Sequence, residues 1–237
     1  KTDGLSCPPG KSGDVTLPDT VTRIAGSAFK GCAKLTSVTL HEGITRIENV
    51  VFEGCNGLTT LTLPASLTSL GNGALDNCAG LTSLNVAPTN SRFSSENGVL
   101  YDKGKTELLL YPMAKPDENF TIPDSVTYIA SYAFQGARHL KTVTAGNLTS
   151  IESSAFTNCE ALTSFTAASL SEVEFQAFYG CSNLETFTLT DADSLTTIGG
   201  SAFNRCSSLT AAPIAGATSI EEGAFQDCTA LTSLSFC

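Results

Sequence analysis

The residues that could do chemistry in this chain are nine cysteines, two histidines and a few close carboxylate pairs. Thiolates and imidazoles at ligand spacing would hold zinc. A thiol beside a histidine would be a nucleophile, and two facing carboxylates would do acid–base work. None of these patterns is present. There is no C-x-x-C, and His41 and His139 stand far apart and away from the position that most cysteines share. That also excludes a Ser/His/Asp or Cys/His constellation. Glu221-Glu222 and Asp191/Asp193 read as solvated edges. A calcium site near Asp191 lacks the series of oxygen ligands that such sites need. The sequence points to no catalytic residue, no metal and no cofactor.

What the cysteines do show is order. Cys32, Cys55, Cys78, Cys159, Cys181, Cys206 and Cys228 each follow an apolar anchor by three residues. The anchors are Phe29, Phe52, Leu75, Phe134, Phe156, Phe178, Phe203 and Phe225; Ala137 replaces the cysteine after Phe134. Steps of 22, 23 and 25 residues separate neighbouring anchors, apart from one of 59. A period in the low twenties means a solenoid, in which each unit buries its apolar face only against its neighbours. One repeat position becomes one column, so the seven cysteines are expected to stack as buried, free thiols that behave as small hydrophobes. Parallel Cβ vectors on adjacent coils make disulfide geometry awkward. Cys7 and Cys237 fall outside the column, one near each end, and leave open a terminal disulfide or a bond to another chain.

Each unit has three parts. A short helical or 3-10 turn is predicted around A-F-x-x-C. A strand follows at L-x-x-L-x-L, as in Leu58, Leu61 and Leu63, where apolar and polar residues alternate with the period of a half-buried strand. A second short strand, L-x-x-I, closes the unit, as at Leu67 and Leu70. The variable spacing lies between the two strands, on the edge that carries Pro18, Pro64, Pro123 and the acidic bulge Asp191-Ala192-Asp193. Pro213 stands inside a first strand, where it removes a ladder donor.

Residues 1–14 do not fit the repeat and read as a lead-in or partial cap. Residues 15–237 read as one solenoid of about nine coils. Its largest departure, about 87–122, is an enlarged repeat, with strands expected near Gly98–Tyr101 and Thr106–Tyr111 and a hairpin turn at Asp102-Lys103-Gly104-Lys105. After Asp227 the sequence stops at a first strand without a polar cap, so either the natural chain continues or something covers that end. The chain does not begin with Met, which reads as processed or trimmed, any signal peptide being already gone.

Net charge is −10. Such a field repels phosphate backbones and anionic lipid heads, which argues against nucleic acid and membrane surfaces as partners. No apolar run approaches the roughly 20 residues that span a bilayer.

The unit A-F-x-x-C-x-x-L-x-x-L-x-L-P-x-x-[VL]-x-x-I resembles that of the BspA-like leucine-rich-repeat proteins over about residues 15–237. The enlarged repeat, G-V-L-Y-D…L-L-Y-P…F-T-I-P-D-S-V-T-Y-I, is similar to one that recurs in that family. The resemblance implies a leucine-rich-repeat solenoid: a β-rich, right-handed α/β-type coil with short helical or 3-10 turns. It also implies a secreted or cell-surface protein of a bacterium or protist, in a family implicated in adhesion and co-aggregation. It brings no catalytic or metal residues.

Two surfaces are then candidates for a protein or glycan partner. One is the solvated face of the first strands, where Thr60/Thr62, Thr142/Thr144 and Thr186/Thr188 belong to two columns of small polar residues. The other is the enlarged repeat, with Phe93, Tyr101 and Tyr111. Asn119 and Asn147 head N-x-T sequons and are candidate glycosylation sites in a eukaryotic source. A structural role, in which open ends self-associate into a filament or matrix, is the alternative. A flat threonine array that binds ice is a remote third reading.

Overall fold

A computed structural model describes residues 12–234. It is a leucine-rich-repeat β-solenoid, and it divides into two compact units: Lys1–Gly104 with Tyr111–Ala114, and Lys105–Leu110 with Lys115–Cys237. The enlarged repeat contributes residues to both.

In the first unit, the first strands Gly13–Thr16 and Leu35–Thr39 pair in parallel, as do Thr60–Leu63 and Ser83–Val86. The second strands Arg23–Ile24, Arg46–Ile47 and Ser69–Leu70 form a separate parallel sheet. In the second unit, Asn119–Ile122, Thr142–Ala145, Ser164–Ala167 and Thr186–Leu189 form a four-stranded parallel sheet with equivalent residues in register. Its second strands run Glu107–Leu110, Tyr128–Ile129, Ser150–Ile151, Glu172–Val173, Thr197–Ile198 and Ser219–Ile220, all parallel. Ahead of Pro213 the first strand shrinks to Ala211–Ala212, as the missing donor requires.

The turns around the anchors are not helical. They hold 3-10-type bonds, such as Lys30 N to Ser27 O and Cys32 N to Phe29 O, at 3.1 Å each. Yet the residues two before and two after every anchor have positive φ, as at Ser27 (61°) and Gly31 (73°), or Val50 (53°) and Gly54 (73°). A left-handed residue stops a right-handed helix after one turn. The amides of the anchor and of the second left-handed residue then face the next coil. Phe29 N donates to Val51 O at 2.9 Å, and Gly31 N to Glu53 O at 2.7 Å. Each turn thus becomes a rung of a ladder. Among the described residues the one helix is the 3-10 turn Ala192–Ser194, in the acidic bulge.

The cysteine column follows from the same geometry. Cys55 Sγ donates to Phe29 O at 3.0 Å, Cys181 Sγ to Phe156 O at 3.0 Å, and Cys206 Sγ to Phe178 O at 3.2 Å. The carbonyls of Phe29, Phe52, Phe156, Phe178 and Phe203 therefore each accept from two cysteines, the amide of their own coil and the thiol of the next. Six members are free, and five of them are buried. Cys32 departs from the expected column of free thiols, because it is disulfide-bonded. Its partner lies outside the described residues, as do Cys7 and Cys237 and the terminal disulfide or inter-chain bond left open for them. Beside the thiols the anchor rings stack: Phe134 on Phe156 at 4.4 Å, Phe156 on Phe178 at 4.8 Å and Phe178 on Phe203 at 5.3 Å. Phe165 and Phe187 meet that column edge-on.

In the enlarged repeat, strands run at Val99–Asp102 and Glu107–Leu110, close to where they are expected. An antiparallel hairpin that the sequence reading lacks joins Phe93–Glu96 to Val99–Asp102. Its turn is Asn97-Gly98, with φ of 51° and 79°, as a type I′ turn demands. Asn90 anchors the hairpin from full burial. Its Nδ2 donates to Pro64 O at 2.7 Å and to Leu67 O at 2.9 Å, and its Oδ1 accepts from the amides of Arg92 and Phe93.

Candidate partner-binding surfaces

The first candidate is the open face of the first strands. In the second unit the register aligns Asn119, Thr142, Ser164 and Thr186 in one column, and Thr121, Thr144, Thr166 and Thr188 in a second. The first column is bonded within itself. Thr142 Oγ1 donates to Asn119 Oδ1 at 2.6 Å, and Thr186 Oγ1 to Ser164 Oγ at 2.9 Å. The second has no side-chain hydrogen bonds of its own, and its Thr121, Thr144 and Thr188 are exposed. In the first unit Thr60 and Thr62 are exposed as well, in register with Ser83 and Asn85.

The second candidate needs correction. Tyr101 and Tyr111 are 1% and 2% exposed, so neither ring can meet a partner directly. The reason is visible in the run Val99-Leu100-Tyr101, which is buried on both faces of its strand, as continuous apolar runs are. Phe93 is half-buried. The enlarged repeat contributes packing rather than an aromatic contact surface.

A third surface carries no signal in the repeat pattern. On the second strands of the second unit and just past their ends, Tyr128, Glu152, Glu172 and Glu174 stand on neighbouring coils. The Tyr128 hydroxyl bonds Glu152, and Ser153 Oγ donates to Glu174 Oε2 at 2.8 Å. Burial raises the Glu152 carboxyl above the usual range. The bond from Tyr128 lowers it, and the neighbouring Glu174 charge raises it further. A carboxyl whose pKa is raised by folding favours the fold while protonated and loses that contribution as pH rises through the folded value. Glu152→Gln is therefore expected to raise the melting temperature at pH 7, with the gain shrinking toward zero near pH 4. Melts at the two pH values check this; equal gains at both would contradict it.

Asn119 and Asn147 are both exposed. Asn147 Nδ2 donates to Asp124 O at 2.9 Å, whereas the Asn119 bond uses its Oδ1. His41 Nε2 lies 3.0 Å from Pro18 O. Among the described residues no three His, Cys, Asp or Glu side chains gather as a metal site, and no helix is long and apolar enough to cross a membrane. Burial pushes the Cys55 thiol up to about 11 and the Cys78 thiol to about 12, which leaves them inert as nucleophiles.

The chain is similar to three solved structures. A leucine rich cell surface protein from Faecalibacterium prausnitzii A2-165 shares 31% identity with a TM-score of 0.84, over 95% of this chain and 59% of that one. The pneumococcal vaccine antigen PcpA shares 29%, with a TM-score of 0.78, over 84% of this chain and 50% of that one. A leucine-rich repeat protein from Eubacterium ventriosum ATCC 27560 shares 28%, with a TM-score of 0.68, over 94% and 72%. This chain thus covers only about half the length of the first two. No curated protein matches it. The BspA type leucine rich repeat region matches residues 11–97 and 114–236 in six copies. A repeat whose anchor rings, thiols and left-handed residues recur coil after coil, matched over most of its length, places this chain in the BspA-type leucine-rich-repeat family.

Proposed function

We propose that the chain is a non-enzymatic recognition module of a secreted or cell-surface protein, and that it holds a protein or glycan partner on the open face of its first strands. The observation that carries this is the column Thr121, Thr144, Thr166 and Thr188, in register and without internal hydrogen bonds beside a column that is bonded within itself. Short β-branched hydroxyls lose little rotamer freedom on binding and offer both donor and acceptor. The cell-surface description of the Faecalibacterium relative supports the location.

The test is capture of extracellular-matrix proteins and arrayed glycans by the full chain and by Thr144→Glu/Thr166→Glu. Thr144 is exposed and Thr166 half-buried on the open face, and the two paired carboxylates repel, so the melt should fall slightly while the fold is kept, and capture should fall by about tenfold or more. Capture that survives the double substitution would remove the sheet face from the reading. Concentration-dependent assembly in light scattering, with no capture, would favour a structural role instead.

A further inference from the structure

The net charge of −10 is not spread along the chain. Twelve of the thirteen Lys and Arg residues precede residue 142, and ten of the 23 Asp and Glu residues follow it, so residues 142–237 carry −9. Their one basic residue, Arg205, lies over the Tyr179 ring at 5.5 Å. Among the described residues, Glu152, Glu172 and Glu174 have no ion-pair partner, while Lys115 and Lys141 of the same unit are paired with Asp117 and Glu118.

On the same edge stand the two most exposed aromatic rings of the described chain, Phe175 at 51% and Tyr132 at 46%. They lie on coils two apart. Tyr132 N donates to Ser153 O, and Ser154 N donates to Phe175 O at 2.9 Å. At one strand spacing per coil the two backbones are about 10 Å apart, with Glu152 and Ser153 on the coil between. Phe175 is held in place. One coil on, Gly199 and Gly200 stand at the positions of Glu174 and Phe175, and a Cβ on Gly200 would meet Phe175 Cδ2 at 3.4 Å. The ring therefore rests against glycine backbone, with its outer face open.

We propose that this edge, formed by Tyr132, Phe175, Glu152 and Glu174, docks an arginine-bearing polypeptide segment. A guanidinium is planar and weakly hydrated. It stacks on an aromatic face while its N–H fork meets a carboxylate, a combination that a lysine ammonium or a hydrated divalent cation does not reproduce. Arg205 over Tyr179 makes the aromatic half of that arrangement within the same unit. Rings and carboxylates already fixed by the fold lose little freedom on binding. The surface is separate from the threonine face, so Thr144→Glu/Thr166→Glu leaves this binding unchanged and the two readings fail independently.

The test is titration of the full chain with a dye-labelled Arg-Gly repeat peptide, followed by anisotropy at low and physiological salt. A Lys-Gly peptide and calcium alone are the comparison probes. Phe175→Ser, which keeps the net charge, is expected to weaken the Arg peptide about fivefold, and Glu152→Gln/Glu174→Gln about tenfold. Glu160→Gln/Glu185→Gln removes the same charge elsewhere in the unit and should change binding by less than about twofold. Cooperative thermal melts at or above the parent midpoint show that the variants fold. No saturable binding would overturn the proposal. So would equal losses in both carboxylate pairs with Phe175→Ser neutral, the mark of diffuse attraction. Calcium binding that depends on Glu152 and Glu174 while the peptide ignores Phe175 would overturn it too.

Discussion

Phe156→Ala should cost about 3–5 kcal/mol, the range for emptying a buried aromatic site. The ring is fully buried and stacks on Phe134 at 4.4 Å and on Phe178 at 4.8 Å, with Phe165 edge-on at 5.7 Å. Three aromatic partners lose a neighbour at once, and each such pair contributes beyond its buried area. The coils offer no means of closing the gap, because the anchor backbone is pinned on both sides. Phe156 N donates to Ala177 O on the next coil at 2.7 Å, and the adjoining Ala155 O accepts from Phe134 N on the preceding coil at 2.7 Å. For a chain of this length that is a fall in melting temperature of roughly 6–20 °C. Phe225→Ala is the comparison. That ring is half-buried, with Phe203 as its one stacked neighbour among the described residues, and should cost about 1–2 kcal/mol. Denaturant melts of the two variants check the contrast. Equal losses would mean that the column does not carry stability coil by coil, as stacked repeats should.

The column itself was legible because it is written in residue types. Phe and Cys at constant spacing state which side chains stack. The turn that presents them was legible only in part: two residues after the anchor stands Gly, Asn or Asp in seven of eight units, the types that take left-handed backbone, but the position before it is unmarked. Its left-handed positions are filled by Ser27, Val50, Gly73, Tyr132, Ser154, Gln176, Ser201 and Gly223 before the anchors, with no common type. The inter-coil bonds of the turn hold these residues in a conformation that most of them disfavour, by about 1–2 kcal/mol each. Local propensity therefore suggests a helical turn where the ladder enforces a break. The Asn97-Gly98 dipeptide is a strong type I′ signal, but Asp102-Lys103-Gly104 a few residues on is a competing turn signal between two apolar runs.

The candidate sites divide in the same way. Threonines that alternate with leucine must face outward once the leucines face in, so Thr60, Thr62, Thr144 and Thr188 lie where the pattern puts them. Tyr101 and Tyr111 sit in an insertion, where the repeat gives no rule for inside and outside. The run Val99-Leu100-Tyr101 was the available clue to burial. The acidic edge stayed hidden for a third reason. Its carboxylates, Glu152 and Glu174, directly follow two-residue strands that are too short to show a period, and a single net charge conceals that −9 of the −10 belongs to residues 142–237.

The backbone ladder sets a second limit, on how close coils can come. Gly71→Ala should destabilise the first unit by about 2–4 kcal/mol. Gly71 N donates to Ile47 O at 2.8 Å, and Asn72 N to Asn49 Oδ1 at 3.0 Å, which draws this coil onto the preceding one. A Cβ at residue 71 would come within 2.3 Å of Glu48 C and 2.4 Å of Asn49 N. These are main-chain atoms, so no rotamer change relieves the overlap; the coil must move and lengthen both bonds. Gly26→Ala separates close approach from the general effect of replacing glycine. There the nearest atom to a new Cβ is Asn49 O at 3.3 Å, a tight contact that a shift of a few tenths of an ångström relieves, and the cost should stay below about 1 kcal/mol. Urea melts of the two variants, with amide exchange at Asn72 as the local readout, decide the matter. If Gly71→Ala melts like Gly26→Ala and keeps Asn72 protected, the coils are not held apart by their backbones at this step.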